Sequence, residues 1–254
     1  MKNDIVVLNK LKAEAGISHI HLDLGPAIEP NGKNYLNVIE QDGWQLTATM
    51  IGFPQEDYST LESIRRTGGI VPDNCWEQNK KLVLDAIKLT ASLGAKYLEF
   101  HFGFIDTANT ALADRVKYLA DAAAKNGVVL LMETGQETAQ TLAAFLEKLA
   151  HPALAVNFDP ANMILYGKGE PTEAVKILGR WIRHVHAKDA LRSPVAGQLG
   201  KEVVWGSGHV SGEVFLKVLK QTGFAGALSI EREAGASRVD DIKCAAQALQ
   251  SFRG

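Results

Sequence analysis

Short runs of apolar residues alternate along the chain with longer segments whose apolar positions recur every three or four residues. This is the pattern of repeated βα units around a parallel sheet. It predicts seven strands, at residues 18–24, 46–52, 97–102, 128–133, 153–159, 182–186 and 227–231. The plainest helices fall at 78–93, 107–126, 136–150 and 212–222, and Ala, Leu and Lys dominate them. Such an alternation closes as an α/β fold of the (β/α)8 TIM barrel type, which needs eight strands. Here the segment before Ser18 reads as a helix, 5–15, ended by Gly16, so the barrel lacks its first strand. Either the sequence starts one strand too late or the barrel is completed irregularly. An open edge between first and last strands is a pairing liability, and a second copy of the chain, in a homo-oligomer, is one way to cover it. The longest irregular stretch, 53–76, contains Gly68-Gly69 and Pro72 and exceeds the usual connection length. It reads equally as a lid over a site or as a surface excursion packed on its own side chains.

Composition narrows the class. With 254 residues, 46 % of them apolar, the chain can bury the core of one barrel domain spanning 1–254. A formal charge of −2 and a pI near 6.4 give no net basic field, which argues against nucleic acid as a partner. Cys75 and Cys244 lie far apart without CxxC spacing and read as reduced thiols. No apolar run reaches a membrane span, and Met1-Lys2-Asn3-Asp4 leads into a helical pattern rather than a signal peptide. A cytoplasmic protein with no membrane partner is the expectation.

The active site of a parallel barrel lies at the C-terminal ends of its strands, so an ionisable residue closing an apolar strand is the informative feature. Four successive strands end that way: Val-Val-Leu-Leu-Met-Glu133, Leu-Ala-Val-Asn-Phe-Asp159, Ile-Arg-His184-Val-His186 and Ala-Leu-Ser-Ile-Glu231. Side chains alternate along a strand, so His184 shares a face with His186 and Asn157 with Asp159. One such carboxylate could simply cap a helix or pair with a lysine. Three that converge repel one another unless a cation neutralises them, and carboxylates with one imidazole suit manganese, cobalt, magnesium or zinc. The quartet Glu133, Asp159, His186 and Glu231 therefore predicts a site for one divalent metal ion.

Other polar residues are weaker signals. His184 lies two residues deeper than His186 and reads as a packed core histidine. His101 closes Tyr-Leu-Glu-Phe-His on the same face as Glu99, and substrate contact competes there with a structural hydrogen bond. His21, in His19-Ile-His21-Leu-Asp23, is weaker still. Lys188 and Arg192 follow His186 closely enough to overhang a pocket, where cations suit hydroxyl, carbonyl or phosphate oxygens; exposed loop cations are the alternative. Trp205-Gly-Ser-Gly-His209 is a weak candidate for a phosphate-binding loop. No G-x-G-x-x-G follows a strand, so no nucleotide cofactor is inferred, and neither G-x-S-x-G nor H-E-x-x-H occurs.

In its order Glu, Asp, His, Glu, the strand-end quartet resembles the xylose-isomerase-like barrel superfamily of sugar phosphate isomerases and epimerases, from Ile5 onward. Leu-Met-Glu133-Thr-Gly and Asn-Phe-Asp159-Pro-Ala-Asn resemble its Glu and Asp strands. His184-Val-His186-Ala-Lys-Asp189 resembles its H-x-H-x-K-D segment, and Gly223-Phe-Ala-Gly226 through Ile-Glu231 its closing signature. The resemblance places residues 5–24 on the family's first helix and second strand. In outline the chain is similar to the ketose 3-epimerases, which implies that Glu133 and Glu231 are the catalytic acid and base. It puts Arg192 at a substrate-contacting arginine position. Asn162 stands three residues after Asp159, where those epimerases have a histidine, which leaves the reaction open at this substrate-facing position. Glu-Ser-Ile-Arg-Arg-Thr-Gly-Gly and Ile-Glu231-Arg-Glu-Ala-Gly resemble a less characterised branch.

The chemistry implied is proton removal from a carbon beside a metal-chelated carbonyl and hydroxyl, through an enediolate. Return of the proton to the opposite face gives an epimer, return to the adjacent carbon an isomer, and loss of a β-hydroxyl a dehydrated product. The partner is then a small-molecule sugar or sugar phosphate. Two further readings stand beside this one. An abasic-site endonuclease-like phosphodiesterase needs more histidines and a basic face. A sugar-binding protein would have kept the pocket and lost turnover.

Overall fold

The computed structural model describes residues 5–29 and 32–252; Met1-Lys2-Asn3-Asp4, read above for a targeting signal, lie outside the described residues. The strands are β1 (His19–Asp23), β2 (Gln45–Met50), β3 (Tyr97–Phe100), β4 (Val129–Glu133), β5 (Leu154–Phe158), β6 (Ile182–Ala187), β7 (Asp189–Leu191), β8 (Lys201–Val203) and β9 (Ala227–Ile230). Seven of them form one parallel sheet in the order β1-β2-β3-β4-β5-β6-β9, a nearly closed barrel with helices around it. These are the seven expected strands. The unanticipated β7 and β8 form a separate antiparallel pair.

The helices are α1 (Ile5–Ala15), α2 (Gly25–Ile28), α3 (Gly32–Gln41), α4 (Leu61–Thr67), α5 (Trp76–Ser92), α6 (Thr110–Lys125), α7 (Ala139–Leu149), α8 (Pro160–Leu165), α9 (Pro171–Leu178), α10 (Gly212–Gln221) and α11 (Arg238–Phe252). On α5 the buried apolar positions Val83, Ala86 and Ile87 make one inward stripe. On α6 the stripe is Leu112, Val116, Leu119, Ala120 and Ala123. Asn109 and Thr138 cap α6 and α7, accepting from the N–H groups of Leu112 and Thr141.

The sheet separates two apolar clusters. Outward residues such as Leu98, Phe100, Leu130, Met132, Val156, Phe158 and Val185 pack beneath the helices. Inside the barrel a small cluster of Ala48, Leu131 and Ala155 packs with Tyr97 and Val129. Further along these inward faces, toward the strands' C-terminal ends, the residues become polar: Glu99, Glu133, Asn157, His184 and His186. Period-two alternation thus puts apolar side chains under the helices and gathers the ionisable ones at the barrel mouth.

The predicted gap is present. Among the described residues β1 pairs only with β2, and β9 only with β6. A cavity of about 930 Å³ occupies the seam between them, backed by Leu8 and Leu11 of α1 and by Ile242, Ala246 and Leu249 of α11. The two helices pack together behind it, joined by Gln250 donating to the Ala15 carbonyl and by the Lys243–Glu14 ion pair. A helical cover of this kind protects a sheet edge.

The stretch 53–76 is more ordered than its pattern suggests. It contains α4, whose start is fixed by a reciprocal capping box between Thr60 and Ser63. Seven residues are too few to show a helical period, which is why α4 was not anticipated. The Glu56 carboxylate accepts from the N–H groups of Phe53 and Gly69, and Gln55 donates to the Thr67 and Gly69 carbonyls. The excursion therefore does pack on itself. Its Tyr58 ring also stands 5.3 Å from the His101 ring, so it reaches the barrel mouth as well. Both thiols are free, and no helix among the described residues is long and apolar enough to cross a membrane.

An open seam has a measurable consequence. Amides of β1 and β9 that face it have no ladder partner, so they should exchange with D2O at least ~100-fold faster than those of β4 and β5. Equal protection, read by hydrogen-exchange mass spectrometry, would mean that the seam is paired in solution.

Candidate metal centre

Glu133 closes β4, Asp159 follows β5, His186 lies near the end of β6 and Glu231 follows β9. The structure brings all four together, with one ligand atom from each within 4.8 Å of the others. His186 is the hub. Its Nδ1 lies 2.8 Å from Glu133 Oε1, 3.2 Å from Glu231 Oε2 and 3.5 Å from Asp159 Oδ2. Thr134 sets the ends of β4 and β5, accepting from the Asp159 N–H and donating to the Asp159 carbonyl.

Asp159 divides its two oxygens. Oδ1 caps α8 by accepting from the Asn162 N–H at 2.8 Å, the structural role weighed for it above. Oδ2 is fully buried and has no hydrogen-bond partner. A buried, unsatisfied acceptor aimed at two more carboxylates and an imidazole is what a bound cation would complete. The donor set fits a hard or borderline divalent ion.

The electrostatics point the same way. Burial opposes ionisation of Glu231, but the His186 and Lys188 cations outweigh it and hold this carboxyl well below the usual range. Burial likewise opposes ionisation of Glu133, and His101 and His186 overcome it. Burial raises Asp159 despite Lys188. His186 resists burial because Glu231, Asp159 and Glu133 surround it, and its imidazolium is held well above the ordinary histidine range. A proton on Nδ1 and the Lys188 ammonium thus supply the positive charge that three carboxylates need.

Lys188 lies inside this cluster rather than overhanging it. Only 3 % exposed, its Nζ bonds Glu231 Oε2 at 2.8 Å and Glu233 Oε2 at 2.7 Å, with Asp159 Oδ2 at 3.7 Å. Arg192 is partly exposed and holds Glu170 at 2.6 Å. Asn162 is buried, and Gly135 lets it approach: a Cβ on Gly135 would lie 2.4 Å from the Asn162 Cβ. His101 Nε2 stands 3.3 Å from Glu133 Oε2. Glu133 therefore spans two neighbours, with Oε1 toward His186 and Oε2 toward His101.

Three residues matter more here than their pattern suggested. Glu99 is 1 % exposed, and its Oε2 has no hydrogen-bond partner. Burial, then the Glu133 charge, raises its carboxyl well above the ordinary value. His184 is buried as expected, held by Asn157 at 2.9 Å and Thr47 at 3.1 Å. His21 reaches across the barrel to His186 at 3.2 Å. The groups Glu99–His101–Glu133 and His21–His184–His186 also meet the spacing of metal ligands.

The glycine-rich loop after β8 already has its anion. Asp189 Oδ2 accepts from the N–H groups of Gly206 and Gly208, each at 2.9 Å. Its Oδ1 accepts from Ala190 at 2.8 Å and Val210 at 3.1 Å. A Cβ on Gly208 would fall 2.2 Å from Asp189 Oδ1, so only glycine fits that close approach. The loop's donors are spent on the chain's own carboxylate rather than facing a phosphate.

The description "Xylose isomerase-like TIM barrel" is that of a family profile matching residues 12–253. A xylose isomerase domain protein from Planctomyces limnophilus superposes with a TM-score of 0.88 at 30% identity, covering 98% of this chain and 91% of its own. A xylose isomerase-like TIM barrel protein from Mycobacterium smegmatis, solved in complex with magnesium, has a TM-score of 0.75 at 18% identity, covering 98% and 88%. D-Psicose 3-epimerase from Clostridium cellulolyticum H10, solved with D-tagatose, has a TM-score of 0.67 at 18% identity, covering 99% and 91%. A probable 3-DHS dehydratase shares the fold as well. The last three likenesses are of fold alone. No curated protein matches the sequence.

Two measurements check this description. Asp189→Asn should destabilise the protein by about 2–3 kcal/mol in urea unfolding, because loop N–H groups lose a charged acceptor. Glu99 gains its proton more readily when folded, so its contribution is full below the unfolded value of 4.5 and is lost as pH rises toward the folded value. In EDTA, Glu99→Gln should therefore raise the melting temperature at pH 7 and leave it nearly unchanged at pH 4. A lower melting temperature at pH 7 would contradict the assigned direction.

Proposed function

Because the chain belongs to the xylose isomerase-like TIM barrel family, we propose that it is a divalent-metal-dependent isomerase or epimerase of a small sugar, ketose or sugar phosphate. One observation carries this reading: Glu133, Asp159, His186 and Glu231, from four neighbouring strand ends, present ligand atoms within 4.8 Å of one another. Sugar 3-epimerases of the same fold support the substrate class.

Manganese, cobalt, magnesium or zinc held by the four would polarise a substrate carbonyl and its neighbouring hydroxyl and so acidify the C–H between them. The protein's own groups then handle the proton. Glu133 and Glu231 approach His186 Nδ1 from β4 and from the end of β9, so a sugar bound over the quartet would meet carboxylates from two different strands. Both are held ionised, the state that accepts a proton. Each has its own support: His101 lies beside Glu133 Oε2, and Lys188 beside Glu231 Oε2. One carboxylate removes the proton, and the other returns it to the opposite face or to the adjacent carbon. His101, Asn162, Lys188 and Arg192 are the proposed substrate contacts, Lys188 only where a ligand displaces one of the carboxylates that enclose it. For Arg192 this requires its pair with Glu170 to open.

The test begins with elemental analysis of purified protein. About one divalent ion per chain is expected, lost in Asp159→Ala. Ketoses and their phosphates are then incubated in D2O. Deuterium should enter a carbon-bound position, and Glu133→Gln and Glu231→Gln should each slow that exchange by at least ~100-fold. Loss of water from the substrate would make the enzyme a dehydratase on the same site. No uptake with excess Mn2+ would remove the mechanism altogether.

A further inference from the structure

A histidine that binds a metal through one ring nitrogen must carry its proton on the other, and something must hold that proton. His186 Nδ1 faces the three carboxylates, so the required proton lies on Nε2. Two side chains approach that end of the ring. Asn157 Nδ2 lies 3.1 Å from Nε2 and 3.4 Å from Nδ1. An amide nitrogen only donates, so Asn157 Nδ2 cannot accept the Nε2 hydrogen, and at nearly equal distance from both nitrogens it does not discriminate between them.

His21, from the far side of the barrel, does discriminate. Its Nδ1 lies 3.2 Å from His186 Nε2, and its Nε2 lies 3.2 Å from the Thr49 carbonyl oxygen. A backbone carbonyl can only accept, so His21 Nε2 carries the hydrogen. In a neutral imidazole the other nitrogen is then a bare acceptor. His21 Nδ1 therefore accepts from His186 Nε2–H, and the His186 Nδ1 lone pair is left for a cation. We infer that His21 is the positioning residue of the metal site, passing the fixed polarity of the Thr49 carbonyl to ligand His186. This rests on the reading of the quartet as a metal centre.

Nothing in this role touches the reacting atoms. His21 is almost wholly buried, and its ring meets the His186 ring at a centroid distance of 5.4 Å. Its strand β1 borders the open seam. A second edge strand thereby contributes, beside β9, to a site built from β4, β5, β6 and β9.

The experiment combines tautomer and affinity measurements. In 15N-histidine-labelled protein, long-range 1H–15N correlation should show His21 as the Nε2–H tautomer. Calorimetry with Mn2+ should give at least ~10-fold weaker binding for His21→Leu. Asparagine places an acceptor oxygen near the position of Nδ1, so His21→Asn should restore affinity to within ~3-fold of the parent. An Nδ1–H tautomer of His21, or equal affinity in His21→Leu and the parent, would overturn the positioning role and leave the metal centre standing. Failure of the parent to bind Mn2+ would overturn the metal reading and the role with it. If His21→Leu does not fold, the parent's tautomer and the His21→Asn affinity decide.

Discussion

Three carboxylates are forced together at the mouth of this barrel, and much of the local structure compensates for their repulsion. In water such groups would separate; here each is anchored to a strand end, with β4 and β5 paired to each other and β6 lying between β5 and β9. The compensation comes from inside. His186 puts Nδ1 among all three, and Lys188 carries a buried ammonium against Glu231, Glu233 and, more distantly, Asp159. A buried ion cluster contributes little net stability, because desolvation offsets most of the attraction. A proton on His186 fills the place among the carboxylates that a cation would take.

The same cluster explains why the support around it is so specific. Asp159 cannot turn toward solvent because Oδ1 is committed to the Asn162 N–H, which leaves Oδ2 unsatisfied and inward. Glu133 cannot satisfy both oxygens on one neighbour, so it links His186 and His101. Asp189 belongs to another task, gathering four backbone N–H groups and fixing the loop after β8. His186 near the end of β6, Lys188 after it and Asp189 at the start of β7 therefore place a carboxylate-facing histidine, a charge-balancing lysine and a loop-holding aspartate within four residues.

The seam between β1 and β9 sets a different constraint. A barrel of seven paired strands leaves two edges, and in this protein α1 and α11 cover them from outside. Such a cover blocks edge-to-edge pairing without supplying ladder hydrogen bonds. The site is buffered from this irregularity because three of its four residues lie on or beside β4, β5 and β6, each paired on both sides. Glu231 is the exception, and it is held from the other side by Lys188 and by the bond from its N–H to the Ala187 carbonyl.

The seven strands, the open seam between the first and the last of them among the described residues, and the convergence of the quartet were legible in the sequence because they depend on local rules. Burial on two faces makes an apolar run, alternation selects one face, and an ionisable residue at the end of such a run stands out against it. The alternative that a strand-end carboxylate caps the next helix holds for Asp159, through Oδ1. Short elements such as α4, β7 and β8 were not legible, since so few residues show no period. Only the tertiary structure decided which polar side chains meet. Lys188 reads locally as a loop cation but is enclosed by carboxylates, and the loop around Gly206 and Gly208 resembles an anion site until Asp189 fills it. His21 looked minor within β1, yet its partner His186 lies 165 residues away. Nothing in the spacing of either residue encodes that contact, because it exists only once the sheet curves and brings opposite strands face to face.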